Sequence, residues 1–244
     1  MFKKIQSILI LFMLVGGLFA TNAPVHQAAH LSLKSFDAHH AALEAVTPEY
    51  SVGRVSYAHG DYDNLITDLE GQIRLAGAPD IPSSTKFIAV PRTGDVQANF
   101  SYRTMRVESD IDLVPFQPVQ LEKQFIDEEF SKDNAIYSKD AWYPENPVIL
   151  HERIQMRDLT LMAVEVTPFQ YNPVRKELRV YEGLEVNLDH NEALTTPDRP
   201  ISRFYEPIYR SIAPNSTLIL EQNYQTPSIL FIHPNNATVA GLLA

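Results

Sequence analysis

The sequence predicts a mainly β protein, an antiparallel β-sandwich or open barrel, and three observations carry that prediction. Short runs of alternating apolar residues, cut by Pro, Gly, Asn and Asp, fill the chain from Tyr50 to Leu188. Long amphipathic helical patterns do not interrupt them, so the strands pair with one another rather than with crossover helices. The composition, 45% apolar and 20% charged, supplies a core and argues against wholesale disorder, while 17 Pro, all after residue 20, supply the punctuation.

Residues 1–20 read as a leader. Lys3 and Lys4 form a short basic region, and Ile8 to Ala20 is an uncharged apolar run of 13 residues. That run is shorter than the ~20 residues a spanning helix needs and fits a secretory signal cleaved after Ala20. Ala23 is the alternative cleavage point, and an N-terminal anchor is the competing reading. No second apolar run approaches spanning length, so no stable membrane span is expected after signal removal. Removing Lys3 and Lys4 leaves 18 basic against 30 acidic residues, a net −12. Residues 21–49, rich in Ala and His, read as a loosely held arm with a short helix over Asp37 to Val46.

Residues 50–196 form the β domain. Val52, Val55 and Tyr57 mark one strand, and Leu65, Ile66 and Leu69 another. Gly77 to Pro82 is a loop, because its two Pro lack ladder donors. Lys86 to Val90 is an apolar strand. After a turn over Pro91 to Asp95, Val96, Ala98, Phe100 and Tyr102 alternate with polar residues as a half-buried strand. Leu159 to Val166 is apolar on both faces and therefore central. Tyr171 to Lys176 carries Asn and Pro as a turn, so Leu159 to Leu188 reads as one hairpin. Leu178, Val180, Leu184, Val186 and Leu188 share its buried face, and Glu182-Gly183 reads as a bulge.

Residues 197–225 read as a linker containing one helix over Ile201 to Ile212, with Phe204, Ile208 and Ile212 at helical spacing. Pro227 to Pro234 is a continuous apolar strand, and Asn236 to Leu243 begins a helical pattern. A fully apolar strand followed by a helix is how an α/β domain starts, so residues 226–244 read as the truncated start of one.

Composition also excludes functions. The chain has no Cys, which rules out a disulfide scaffold, a Cys-ligated metal site and thiol chemistry carried out by this chain. A formal charge of −10 argues against a nucleic-acid partner. Adjacent His39 and His40 would diverge on a helix, and His26 and His30 lack carboxylate partners at ligand spacing, so no metal is expected. Asp127-Glu128-Glu129 lacks the alternating oxygen ligands of a calcium loop. No Ser sits in a G-x-S-x-G setting and no Gly-rich phosphate loop exists, so no catalytic residue and no cofactor are assigned.

Three segments resemble the N-terminal propeptide of gingipain-like cysteine peptidases, family C25. Gly77-Ala78-Pro79-Asp80-Ile81-Pro82 followed by Phe87-Ile88-Ala89-Val90-Pro91 is similar to the family's G-x-P-x-L-P … I-A-V-P stretch, with Ile81 for the usual Leu. Tyr137-Ser138-Lys139-Asp140-Ala141-Trp142-Tyr143-Pro144 resembles a Tyr … aromatic-Tyr-Pro element. Pro168-Phe169-Gln170-Tyr171-Asn172-Pro173 leading into Leu178-Arg179-Val180-Tyr181 is similar to P-x-Q-Y-N-P … L-x-V-Y. Pro227 to Leu243 then resembles the opening of the α/β, caspase-like peptidase domain.

The resemblance implies a secreted or surface prodomain that inhibits its cognate cysteine peptidase domain in cis and aids its folding. It also implies an inhibitory segment over Pro115 to Trp142. Lys123, Lys132 and Lys139 are the basic residues there; Lys132, between an acidic run and Tyr137, is placed as a loop tip and is the candidate for the peptidase's pocket. An ordinary surface lysine is the competing reading. The absence of Arg in this stretch departs from the arginine-specific pattern. Arg203 and Arg210 are the candidate processing sites. The competing function is a stand-alone exported module that binds glycan or protein, with Trp142, Tyr143, Tyr137 and Phe169 as an aromatic platform.

Overall fold

The computed structural model of the chain describes residues 30–118, 130–197, 200–220 and 224–226. Thirteen strands form antiparallel sheets among these residues. The leader with its cleavage point at Ala20, Lys123, Asp127 to Glu129, and the strand and helix expected over 227–243 lie outside the described residues.

One four-stranded sheet has the order β1 (Leu31–Phe36), β2 (His40–Ala45), β13 (Leu184–His190), β7 (Val96–Ser101). The expected helix over Asp37 to Val46 is therefore corrected to a strand, and from Leu31 onward the expected loose arm is part of a sheet. Asp37 does use its carboxylate on local amides, accepting from the backbone N–H of His39 at 2.8 Å and His40 at 2.9 Å. That bond closes a hairpin turn, and the Ala-rich stretch beyond it alternates, with Ala41, Leu43 and Ala45 buried against the partner sheet. Tertiary burial overrides the helical preference of alanine here.

A second four-stranded sheet runs β5 (Gly71–Gln72), β6 (Pro82–Ala89), β10 (Leu159–Val166), β9 (Val148–Met156). Pro82 opens β6, where a missing N–H costs no ladder bond. β10 is central, between β6 and β9. The first core cluster draws on both four-stranded sheets: Leu43, Val186 and Leu188 from one meet Ile88, Val164 and Val166 from the other. Each such side chain contributes roughly 1.5–3 kcal/mol by leaving water.

The remaining strands form a three-stranded sheet, β11 (Phe169–Asn172), β12 (Glu177–Glu182), β8 (Thr104–Glu108), and a ribbon of β3 (Tyr50–Tyr57) with β4 (Gly60–Thr67). Leu69 lies beyond the end of β4. The tight hairpin is β11–β12, with residues 173–176 as its turn, so the single hairpin expected from Leu159 to Leu188 is corrected: β10 pairs elsewhere. Gly183, at φ +63°, is where the chain leaves one sheet for another rather than a bulge within one strand. Of the six even-numbered residues from Leu178 to Leu188, all but Glu182 are fully buried, as their alternation requires.

The helical segment begins as a short 3-10 turn, Arg203–Tyr205, and continues as α2 (Glu206–Ile212), α1 being the short helix Asn134–Tyr137. Its expected apolar face is corrected. Phe204 is 77% exposed and Ile208 38% exposed, whereas Tyr209 and Ala213 are buried against Leu159 and Leu161. The Tyr209 hydroxyl donates to Asp158 at 3.0 Å, which satisfies its polar end while the ring is buried. Beyond α2, the fully buried Asn215 acts as a substitute strand for the β6 edge: its Oδ1 accepts from Ala89 N–H and its Nδ2 donates to Ala89 C=O, both at 2.8 Å.

Candidate functional site

The expected inhibitory segment meets the fold at Gln117 and Ser131, which stand on either side of residues 119–129. The Gln117 amide donates to the carbonyls of Pro115 and Ser131 and accepts from Ser131 N–H, each at 2.9 Å. Gly77 separates the two limbs. Its N–H donates to Phe116 C=O at 2.9 Å, and its C=O accepts from Asp133 N–H at 2.8 Å. Gly77 sits at φ +79°, and a Cβ there would lie 2.7 Å from Asp133 N. Both facts restrict the position to glycine.

Lys132 lies at this foot, not at a loop tip, because its neighbour Asp133 is hydrogen-bonded to Gly77 and caps α1 by accepting from Ala135 N–H at 2.8 Å. Its exposed ammonium lies 4.4 Å from the Tyr137 ring centroid and 5.2 Å from that of Tyr62. Phe130 stacks on the same Tyr62 at 5.4 Å and lies 5.1 Å from Tyr57. Tyr137 is fixed by donating to Leu113 C=O at 2.8 Å, and burial raises its pKa above the ordinary tyrosine value. Rings hold the Lys132 charge, and no carboxylate among the described residues pairs with it. Lys139 is exposed on the far side of α1.

The motif residues of β11 and β12 form a support behind this foot. Gln170 Oε1 accepts from the Tyr181 hydroxyl at 2.6 Å and from Arg179 at 3.2 Å, while its Nε2 donates to Pro144 C=O at 2.8 Å. Tyr143 and Tyr171 exchange backbone bonds at 2.8 and 2.7 Å. Asn172 donates to Asp140 at 2.7 Å, and Arg175 reaches the same carboxylate at 2.7 Å, which holds Asp140 below the usual carboxylate pKa. Burial pushes both Tyr143 and Tyr171 up to about 12.

These packings correct the aromatic platform. Phe169 is fully buried with Tyr50 edge-on at 5.1 Å, Tyr143 and Tyr137 pack into the second core cluster, and the Arg179 guanidinium covers the Trp142 ring at 3.9 Å. Phe169 and Tyr137 are thus joints of the fold rather than part of a platform, and only Trp142 and Tyr143 of the four line a common open cavity, of about 390 Å³.

The basic candidates downstream differ in setting. Arg203 is exposed in the 3-10 turn, with its guanidinium 4.8 Å from the Tyr224 ring centroid. Arg210 is half-buried and bonded to Glu206 at 2.8–2.9 Å within α2, which lowers the Glu206 pKa. Elsewhere, the buried Glu165 takes a bond from Ser83 at 2.6 Å and faces His151 at 2.8 Å. The carboxylate stands between hydroxyl and imidazole, so the histidine cannot take the serine proton, and the trio lacks the order of a nucleophilic triad.

The parts missed by sequence reasoning are Gln117, Phe130 and Asn215. None sits in a motif, and each acts across a distance in sequence that no local pattern reveals.

The fold is shared with known proteins. Gingipain R2 of Porphyromonas gingivalis, in two strains, is 24% identical over 223 residues, which is 88% of this chain and 30% of the relative. The chain thus spans about 30% of the length of the curated relatives it matches. A solved complex of Porphyromonas gingivalis RgpB pro- and mature domains aligns with a TM-score of 0.65 and 22% identity, covering 76% of this chain and 97% of that one. A structure concerned with the zymogenic latency of gingipain K from the same organism aligns with a TM-score of 0.57 and 19% identity, covering 70% and 96%. The family model Propeptide_C25 matches residues 51–202, more than half of the sequence, and on that match this chain belongs to the propeptide family of the C25, gingipain-type peptidases.

Proposed function

We propose that this chain is the exported prodomain of a gingipain-like cysteine peptidase, holding the peptidase domain inactive in cis and assisting its folding. The observation that carries the reading is the family match over 51–202 together with an anchored foot, Gln117 to Asp133, where the family's inhibitory segment is expected. The core shared by the two four-stranded sheets supports describing the body as a β-sandwich. The leader, ending at Ala20, directs export, and residues 226–244 open the peptidase domain. The chain itself performs no catalysis, since it has no Cys to act as nucleophile.

Inhibition is steric and electrostatic. The prodomain covers the cleft and offers a basic side chain to the pocket, Lys132 being the candidate. To reach a pocket its ammonium must leave the Tyr137 and Tyr62 rings, a cost of about 0.5–1 kcal/mol per ring at an exposed site, which a pocket carboxylate can offset. The acidic charge of the chain speeds capture of a basic partner surface. Of the two processing candidates, Arg203 is the easier substrate. A peptidase needs extended backbone, and opening a one-turn 3-10 helix costs less than opening α2 around the Arg210–Glu206 pair. Purified chain added to its separately expressed peptidase domain tests the reading: loss of peptidase activity at micromolar prodomain supports it, and full activity refutes it.

A further inference from the structure

The β3–β4 ribbon has two faces. Register and alternation place Tyr50 and Leu65 on one, where they pack against the second core cluster. The other carries Val55, Tyr57, Tyr62 and Ile66. At the tip of the ribbon this outer strip is closed by Phe130, which covers Tyr57 and Tyr62. Toward the base it is open: Ile66 is 53% exposed and Val55 half-buried, while Tyr57 at the tip keeps 39% exposure beside Phe130. Gly53 shapes the open part. A Cβ there would stand 2.6 Å from Asn64 Oδ1 and 2.7 Å from Ile66 Cδ1, so both side chains lean over the Gly53 backbone. A single exposed Ile needs no explanation, but here Ile66 and Val55 flank Gly53 on the face that ends on an aromatic cluster, with Asn64 as the polar side chain between Ile66 and Tyr62.

We propose that this strip is the apolar anchor by which the prodomain docks on its peptidase domain, an inference that rests on the prodomain reading above. Two observations choose that occupant. The strip is continuous with the inhibitory foot, because the Tyr62 ring that ends it also carries the Lys132 ammonium at 5.2 Å. A partner that receives Lys132 therefore lies against the strip. The second observation is charge. The chain carries −10, so a second copy would bring net like charge against like charge. The partner's complementary surface is apolar at its centre and basic around it. The strip alone is smaller than the ~800 Å² per side of a stable interface, so it acts as the hot spot within a wider contact.

The test compares Ile66→Gln with Ile154→Gln, since Ile154 is 49% exposed on β9 in a different sheet. The full chain and each variant are titrated against the separately expressed peptidase domain, with dissociation constant, inhibition and melting temperature read together. The inference expects Ile66→Gln to weaken binding at least tenfold with an unchanged melting temperature, and Ile154→Gln to stay within twofold of wild type. Binding by Ile66→Gln equal to wild type, or an equal loss in both variants, overturns it. If Ile66→Gln instead dissociates a dimer of the chain while binding the peptidase normally, the occupant is a second copy and the inference falls. If the unaltered chain does not bind the peptidase domain at all, the prodomain reading itself fails, an outcome distinct from the others.

Discussion

The side chain of Gln117 and the backbone of Ser131 are joined in both directions, amide to carbonyl and N–H to amide oxygen, each at 2.9 Å across 14 residues of chain. One side chain therefore acts as a strand partner at the foot of the expected inhibitory segment. Gly77 packs directly behind it and accepts no Cβ. A basic residue held beside such a foot is positioned before it meets a partner, which lowers the ordering cost of binding.

Gln117→Ala removes the three bonds of that clamp. At about 0.5–1.5 kcal/mol for each bond, the chain should lose about 2 kcal/mol of unfolding free energy, and exchange at the Ser131 amide should quicken. Denaturant unfolding and hydrogen exchange check both. An unchanged stability and an unchanged exchange rate would show that the clamp holds nothing.

Asn215→Ala leaves the N–H and C=O of Ala89 unpaired beside a core of Leu159, Tyr209 and Ile219. The expected cost is about 2–4 kcal/mol, and the 200–220 segment should loosen from β6. Trypsin should then cut after Arg203 and Arg210 faster than in the unaltered chain. Equal cutting rates would show that Asn215 does not hold the segment.

Burial depresses the pKa of His190 below the ordinary histidine value, and His39, Asp189 and Asp37 are the titratable groups around it. The unfolded chain therefore takes up this proton more readily than the folded one. The stability tied to His190 is intact above the unfolded pKa of about 6.5 and is lost as pH falls below it. His190→Leu should flatten the stability profile between pH 7.5 and pH 5.5. A variant with the same slope as the unaltered chain would show that His190 does not set it.

Lys132→Ala should weaken inhibition of the peptidase domain at least tenfold, well beyond the same change at Lys123, with little loss of folding stability because the side chain is exposed. Equal effects at the two positions would remove Lys132 as the pocket residue.

Much of the fold was legible wherever one strand face is buried. The even-numbered run from Leu178 to Leu188 and the apolar strand Leu159 to Val166 declare themselves by alternation and by length. The pairing partners were not legible, because β10 joins β6 and β9 through contacts that only the folded chain brings together. The stretch Asp37 to Val46 misled because Asp before an Ala-rich run suits a helix cap and a hairpin turn equally. The face of α2 misled because Tyr209 and Ala213 pack against Leu159 and Leu161, contacts that lie far off in sequence, while Phe204 and Ile208 stay exposed. At the candidate site, the sequence pointed to Lys132 only through family likeness, while Gln117, Gly77 and the rings of Tyr62 and Tyr137 became its setting only in three dimensions.

The central claim is that this chain silences a peptidase domain made with it. The most direct measurement adds the purified chain, from nanomolar to micromolar, to its separately expressed peptidase domain and follows hydrolysis of a peptide substrate. A saturable fall to near zero activity is the predicted result. Undiminished hydrolysis at micromolar concentration would contradict the account.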